Sequence, residues 1–254
     1  MPYARYIALG DSMSIDLYPA LDAGEVDVAV ALERVPTVGH VAPLGAASLL
    51  YRNDDAHWPD ETGNDLVSRY GEIEHVNVAS DGATIGDVFG EQLPQVASSD
   101  EQTLVTLTIG GNDLLSAFGN RPRRDLLERI ARDIAEAHEL LVDAIRRTLT
   151  NATMIVTTVY DPSDGTGRIP GVYDDLGPLP LDVLHTFNDH VRRLAFGTPR
   201  MFVADAHTHF FGHGVTVADD DRWYWRRSLI EPNARGAHEL RTLWLDAALR
   251  ADDL

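Results

Sequence analysis

Five short apolar runs, separated by helical patterns and turn-rich stretches, constrain this chain more than any other feature. They are Tyr6–Leu9, Ile73–Val78, Thr103–Ile109, Met154–Tyr160 and Met201–Asp205, each of strand length and several of them β-branched. The clearest helix carries apolar residues at Leu126, Ile130, Ile134, Ala137, Leu141 and Ile145, with Arg and Glu on the opposite face. Leu181–Leu194 and Ala234–Leu249 read as helices, and Asp65–Tyr70 and Ile85–Leu93 as shorter ones, the latter capped by Thr84. Val26–Glu33 is apolar enough to be buried and reads as helix. Val35–Leu44 is interrupted by Gly and Pro, Arg52–Glu61 is a polar loop, and Pro19 should stop a helical turn over Ile15–Tyr18. Strands that alternate with helices predict an α/β fold with a five-stranded parallel sheet covered on both faces. With no repeat, low-complexity tract or linker in it, the chain reads as one domain over residues 1–254.

Three of these strands end in small or polar turn residues. The first runs into Gly10-Asp11-Ser12, the second into Ala79-Ser80-Asp81-Gly82, and the third into Gly110-Gly111-Asn112-Asp113. Each alone is explained as a turn, because Gly, Asp, Asn and Ser suit turns for local backbone reasons. Open α/β sheets, however, bind their ligands at the carboxyl ends of the strands. If the three turns converge there, Ser12 offers a hydroxyl, Gly82 a backbone N–H with no side chain in the way, and Asn112 an amide NH₂. The Ser12 N–H is a natural third donor. Acyl transfer needs such a set: a nucleophile, and donors aimed at the oxygen that becomes negative.

Composition narrows the field. The chain has 254 residues with 40 acids against 21 basic residues, a net charge of −19, and every basic residue is Arg. That field opposes binding to nucleic acid or an anionic membrane. No apolar run reaches the length of a membrane span, and no basic segment followed by an apolar stretch opens the sequence, so a cytoplasmic protein is expected. Without cysteine there is no disulfide, thiolate metal site or Cys nucleophile. Asp205, His207 and His209 could share a face if extended, which permits a metal reading. No dedicated ligand motif accompanies them, so no metal and no cofactor are expected.

The three turn blocks resemble those of the SGNH, or GDSL-type, hydrolases. Gly10-Asp11-Ser12 matches the first block, Asn77 with Gly82 the second (with Ala79 where a Gly is common), and Gly110-Gly111-Asn112-Asp113 the third. The resemblance implies a flavodoxin-like three-layer α/β/α sandwich, Ser12 as nucleophile, and a small-molecule ester as substrate. Esters of small alcohols, acetylated sugars and lysophospholipids all fall within it.

The last family block departs. Its Asp-x-x-His, followed by Pro-Asn and a Gly, aligns with Ser228-Leu-Ile-Glu231-Pro232-Asn233-Ala-Arg-Gly236, so Ser228 stands for the Asp and Glu231 for the His. Three residues could replace the missing base: His213, between two glycines after the fifth strand; Glu231 itself, if burial raises its pKa; or His238, which the helical pattern puts on an exposed face. With none of them working, the chain would bind a carbohydrate or acyl ligand in the same cleft without cutting it. A nucleotide-binding role is remote, since no Gly-rich phosphate loop follows the first strand. Asp161 and Asp164 either hold substrate or form a turn. Trp223-Tyr224-Trp225 is expected to pack the last loop onto the core.

Overall fold

The structure, a computed structural model, describes residues 3–25, 41–120 and 123–252. The helix expected over Val26–Glu33 and most of the stretch from Val35 to Leu44 lie outside these residues. Strands β1 (Arg5–Gly10), β2 (Glu74–Asn77), β3 (Thr103–Thr108), β4 (Ala152–Thr157) and β5 (Met201–Ala204) form one sheet in the order β2-β1-β3-β4-β5. Every pairing in it is parallel. Successive side chains of a strand point to opposite faces, and β1 divides accordingly. Ile7 and Leu9 join Val105, Leu107, Met154 and Val156 in one core, while Tyr6 and Ala8 join Leu104 and Ile155 in the other.

Helices Arg124–Thr148 and Leu181–Gly197 cover the first face through Leu141, Ile145, Phe187 and Val191. Helices Ala46–Tyr51 and Ala234–Asp252 cover the second through Ala47, Leu50, Leu240 and Trp244. The result is the three-layer α/β/α sandwich. Two buried polar side chains on the second face are paired: Tyr6 shares a hydrogen bond with Thr106 at 2.9 Å, and Trp244 Nε1 donates to Thr157 Oγ1 at 2.9 Å.

Four local expectations need correction. Pro19 does not stop a helix: Leu17–Asp22 is helical, and Pro19 sits in its first turn, where no intrahelical donor is lost. On the long helix, Leu127 and Ala131 are buried beside Leu141 and Ile145, whereas Leu126 is exposed, so the buried stripe is offset by one residue at the N-terminal end. His207 and His209 are not extended but lie on a helical turn, Ala206–Phe210. There they part: His207 packs edge-on to His185, and His209 Nε2 meets Glu239 Oε2 at 2.9 Å. Among the described residues no group of His, Cys, Asp and Glu could hold a metal ion. His238, finally, is buried and stacks on Trp58 with ring centroids 4.0 Å apart. Its helix is the one pressed against the sheet, so the face that looked outward packs under the Trp58 loop.

A small antiparallel pair, β6 (Tyr224–Trp225) and β7 (Ser228–Pro232), lies apart from the main sheet and carries the last block. Trp223, Tyr224 and Trp225 are all buried, packing the segment as expected. Asn233 explains the Pro-Asn-x-x-Gly sequence. Its Oδ1 accepts the Gly236 N–H at 2.8 Å and its Nδ2 donates to the Arg222 carbonyl at 2.7 Å, so it caps the final helix and ties down the hairpin. A Cβ on Gly236 would lie 2.1 Å from the Trp223 carbonyl oxygen. No helix among the described residues is long and apolar enough to cross a membrane.

Candidate active site

The turn after β1 is locked to its neighbours. Gly10 has φ +133°, and a Cβ there would lie 2.0 Å from the Thr108 carbonyl oxygen and 2.4 Å from Thr108 Oγ1. Only glycine lets β1 leave the sheet this close to β3. The Gly10 backbone is held from the other side by Gln92, whose Oε1 accepts the Gly10 N–H at 2.8 Å and whose Nε2 donates to the Gly10 carbonyl at 2.8 Å. The same Nε2 donates to Ser80 Oγ at 3.1 Å, which joins the first turn to the second. Asp11 donates its N–H to the Thr108 carbonyl at 2.9 Å and accepts the Met13 N–H at 3.1 Å. Ser14 Oγ shares a hydrogen bond with Thr108 Oγ1 at 2.8 Å.

Ser12 is thereby fixed at the carboxyl end of β1, buried, at the wall of a cavity of about 100 Å³. Asn112 and Glu231 line the same cavity. Most of the remaining wall is apolar, from Leu114, Phe118, Leu127, Ile169, Val183 and Leu184. Asn112 Nδ2 donates to the Ala83 carbonyl at 2.9 Å, and the Asp113 carboxylate accepts the Ile85 N–H at 3.2 Å. The third turn therefore holds the second. Gly82, at φ +70°, adjoins Ala83 in that loop. Neither the Ser12 nor the Gly82 N–H has an acceptor among the described residues.

Glu231 reaches Ser12 from β7. Tyr160 fixes the strand there by donating its hydroxyl to the Ile230 carbonyl at 2.7 Å. The Glu231 side chain lies close enough to Ser12 for the hydroxyl to favour its charged form, is 7% exposed, and leaves its buried Oε2 without a partner among the described residues. Burial pushes its pKa up to about 8, the charges of Asp81 and Asp11 push the same way, and the Ser12 hydroxyl pulls down against them. Burial likewise pushes Asp11 up to about 7. Tyr18 donates to Asp81 Oδ2 at 3.0 Å and so holds the carboxylate whose charge acts on Glu231.

His213 does not join this group. Its ring stacks face to face on Trp223 at 3.7 Å, its Nδ1 lies 3.3 Å from the Asp221 carbonyl, and it contributes nothing to the cavity wall. His238 lies on the far face against Trp58 and is no nearer. Asp161 borders the cavity, but its carboxylate accepts the Ser163 and Gly165 N–H groups at 2.9 and 2.8 Å. Asp164 accepts the Gly212 and Gly214 N–H groups, each at 3.0 Å, and so braces the loop that carries His213. Sequence reasoning missed Gln92, Thr108 and Tyr160, which position the site without touching a reacting atom. Nothing in the spacing of those residues marks them out.

Residues 37–238 match the GDSL-like lipase/acylhydrolase family, and the chain belongs to it. The matched span holds the Asn112 and Glu231 blocks but not Gly10-Asp11-Ser12. No curated protein matches the sequence. Among solved structures, phospholipase A1 from Streptomyces albidoflavus NA297 is 18% identical, with a TM-score of 0.59 and coverage of 96% of this chain and 98% of that one. An extracellular lipase from Streptomyces rimosus is 19% identical, with a TM-score of 0.53 and coverage of 97% and 99%. A catalytic mutant of an acetylxylan esterase from Geobacillus stearothermophilus is 14% identical, with a TM-score of 0.61 and coverage of 97% and 95%. At these identities the likeness speaks for the fold.

Proposed function

We propose that the protein is a serine ester hydrolase in which Glu231 serves as the general base to Ser12. The observation that carries this reading is that the buried Glu231 carboxyl and Ser12 share the wall of one apolar cavity, near enough for the Ser12 hydroxyl to act on the Glu231 charge. As a carboxylate, Glu231 takes the Ser12 proton while Oγ attacks the ester carbonyl. The negative oxygen is met by the Ser12 and Gly82 N–H groups and by the Asn112 amide. Protonated Glu231 then gives its proton to the departing alkoxide. Water enters, Glu231 removes its proton, and attack on the acyl-Ser12 ester releases the acid and regenerates the hydroxyl. A pKa near 8 suits both halves of that cycle, since the group gives up and accepts a proton near neutral pH.

Labelling with a fluorophosphonate probe tests the reading. Ser12 should be modified in the native protein, faster at pH 9 than at pH 6, and Ser12→Ala should take no label. Absence of labelling across that range would favour a protein that binds its ligand without cutting it.

Two substitutions divide the remaining roles. Asn112→Ala should lower kcat by about 10²–10³ and leave KM nearly unchanged, because an oxyanion donor acts in the transition state. Asn112 also steadies the second turn, so a matching loss in melting temperature would assign it a structural role instead. His213→Ala should keep kcat within about threefold of native and cost about 1 kcal/mol of stability through the lost stacking on Trp223. Thermal melts and steady-state kinetics on a p-nitrophenyl ester check both.

A further inference from the structure

A second depression adjoins the cavity and differs from it in shape and chemistry. The apolar cavity of about 100 Å³ meets a more open groove of about 590 Å³, and Asn112, Leu115 and Ile230 border both. The groove is completed by Ser116, Asn120 and Tyr173, with Gly119 and Gly171 between them. Among the described residues no charged side chain lines it. Asp174, which follows Tyr173, folds its carboxylate back to accept the Gly171 N–H at 3.0 Å.

Tyr173 is set in place with some effort. Its backbone has φ +53°, a conformation costly for an aromatic residue. Its hydroxyl lies where Gly119 leaves room, for a Cβ there would be 2.5 Å from that oxygen. The ring meets Phe118 edge-on at 6.0 Å. The ring is 37% exposed, and neither its hydroxyl nor that of Ser116 has a partner among the described residues. Asn120 spends its Nδ2 on the Ser116 carbonyl at 2.9 Å, which leaves its Oδ1 as an acceptor. The groove thus offers two hydroxyls, an amide oxygen and an aromatic face, all neutral.

We infer that this groove is the alcohol subsite, and that it takes a neutral alcohol bearing free hydroxyl groups while the acyl chain fills the apolar cavity. The inference rests on the acyl-hydrolase reading above. An ester bound at Ser12 has two arms. The apolar arm gains by entering the apolar cavity. The other arm then leaves past Asn112 into the groove, where hydroxyls find donors and acceptors that an alkyl alcohol would leave unused. An anionic alcohol would face Glu231 and Asp11 at the junction and the −19 charge of the chain. Tyr173 and Ser116 are the specificity-determining residues.

The test compares glycerol 1-monobutyrate with n-propyl butyrate, which share an acyl group and a three-carbon alcohol and differ in the hydroxyls of that alcohol. The native protein should favour the glycerol ester in kcat/KM by about tenfold, the effect of one or two net hydrogen bonds. Tyr173→Leu and Ser116→Ala should each reduce that preference severalfold, through a higher KM for the glycerol ester. Ser116 is exposed on its helix, so its variant keeps the test available if Tyr173→Leu does not fold. A preference at or below one, or one that neither variant moves, overturns the subsite and leaves the hydrolase reading intact. Cleavage of neither ester overturns the hydrolase reading, and the subsite with it.

Discussion

Glu231→Gln should abolish turnover, by about 10⁴-fold or more, and at the same time make the protein more stable above neutral pH. The loss follows from removing the base while keeping shape and volume, since a serine nucleophile is weak without one. The gain follows from linkage. A carboxyl whose pKa rises from 4.5 to about 8 on folding contributes stability that is complete below pH 4.5 and is lost as pH rises through 8. At 1.36 kcal/mol per unit, the charged form costs the fold at most about 5 kcal/mol above pH 8. Gln carries no such cost, so the variant's melting temperature should exceed the native one by several degrees at pH 8.5. Below pH 4.5 the two should nearly coincide. Thermal melts at the two pH values, with kinetics at the higher, check both halves. A variant less stable than native at pH 8.5 would show that a cationic partner compensates the Glu231 charge in the folded protein. Such opposition between stability and activity is characteristic of functional groups held in unfavourable surroundings.

Gly10→Ala should be among the most damaging single substitutions in the chain. The added methyl would collide with the Thr108 carbonyl oxygen at 2.0 Å, and Ala is strained at φ +133° in any case. Relief by backbone movement is blocked, because β3 is hydrogen-bonded to β1 on one side and β4 on the other. Displacement of β1 would also break the paired contacts with Gln92. A loss of about 3–4 kcal/mol is expected, or roughly 10 °C in melting temperature for a chain of this length. Whatever protein remains folded should label poorly at Ser12, since Gly10 sets where that hydroxyl points. A change of less than 2 °C with normal labelling would refute this account of the turn.

The sheet was legible because each strand is a short, sharply bounded apolar run, and a parallel sheet buried on both faces requires such runs. The three strand-end turns were legible for a related reason: Gly10 and Gly110 occupy positive φ, where few other residues fit. The last block was harder. Trp225 and Ser228 pair across Arg226-Arg227, which carries none of the Asn-Gly signals of a tight hairpin, so β6 and β7 had no signature. Without that hairpin, nothing decided whether Glu231 or His213 would arrive at Ser12. His213 seemed well placed because two glycines flank it, yet its ring has a better partner in the Trp223 face. His238 misled for a different reason. Helix periodicity tells which residues share a face, but here a second layer, the loop around Trp58, covers the face that periodicity leaves to solvent.

In the proposed mechanism a carboxyl, not an imidazole, activates Ser12. The acylation rate of Ser12, read as the pre-steady-state burst of p-nitrophenol from p-nitrophenyl butyrate between pH 5 and pH 9.5, tests it most directly. Five groups bear on Glu231 and shape the profile: the carboxyls of Asp11 and Asp81, and the hydroxyls of Ser12, Tyr18 and Tyr160. Since the carboxylate is the active form, the rate should rise with pH through about 8, and His213→Ala should leave the position of that rise unchanged. A rate that instead rises near pH 6.5, in the ordinary imidazole range, and that His213→Ala removes, would contradict the assignment of Glu231.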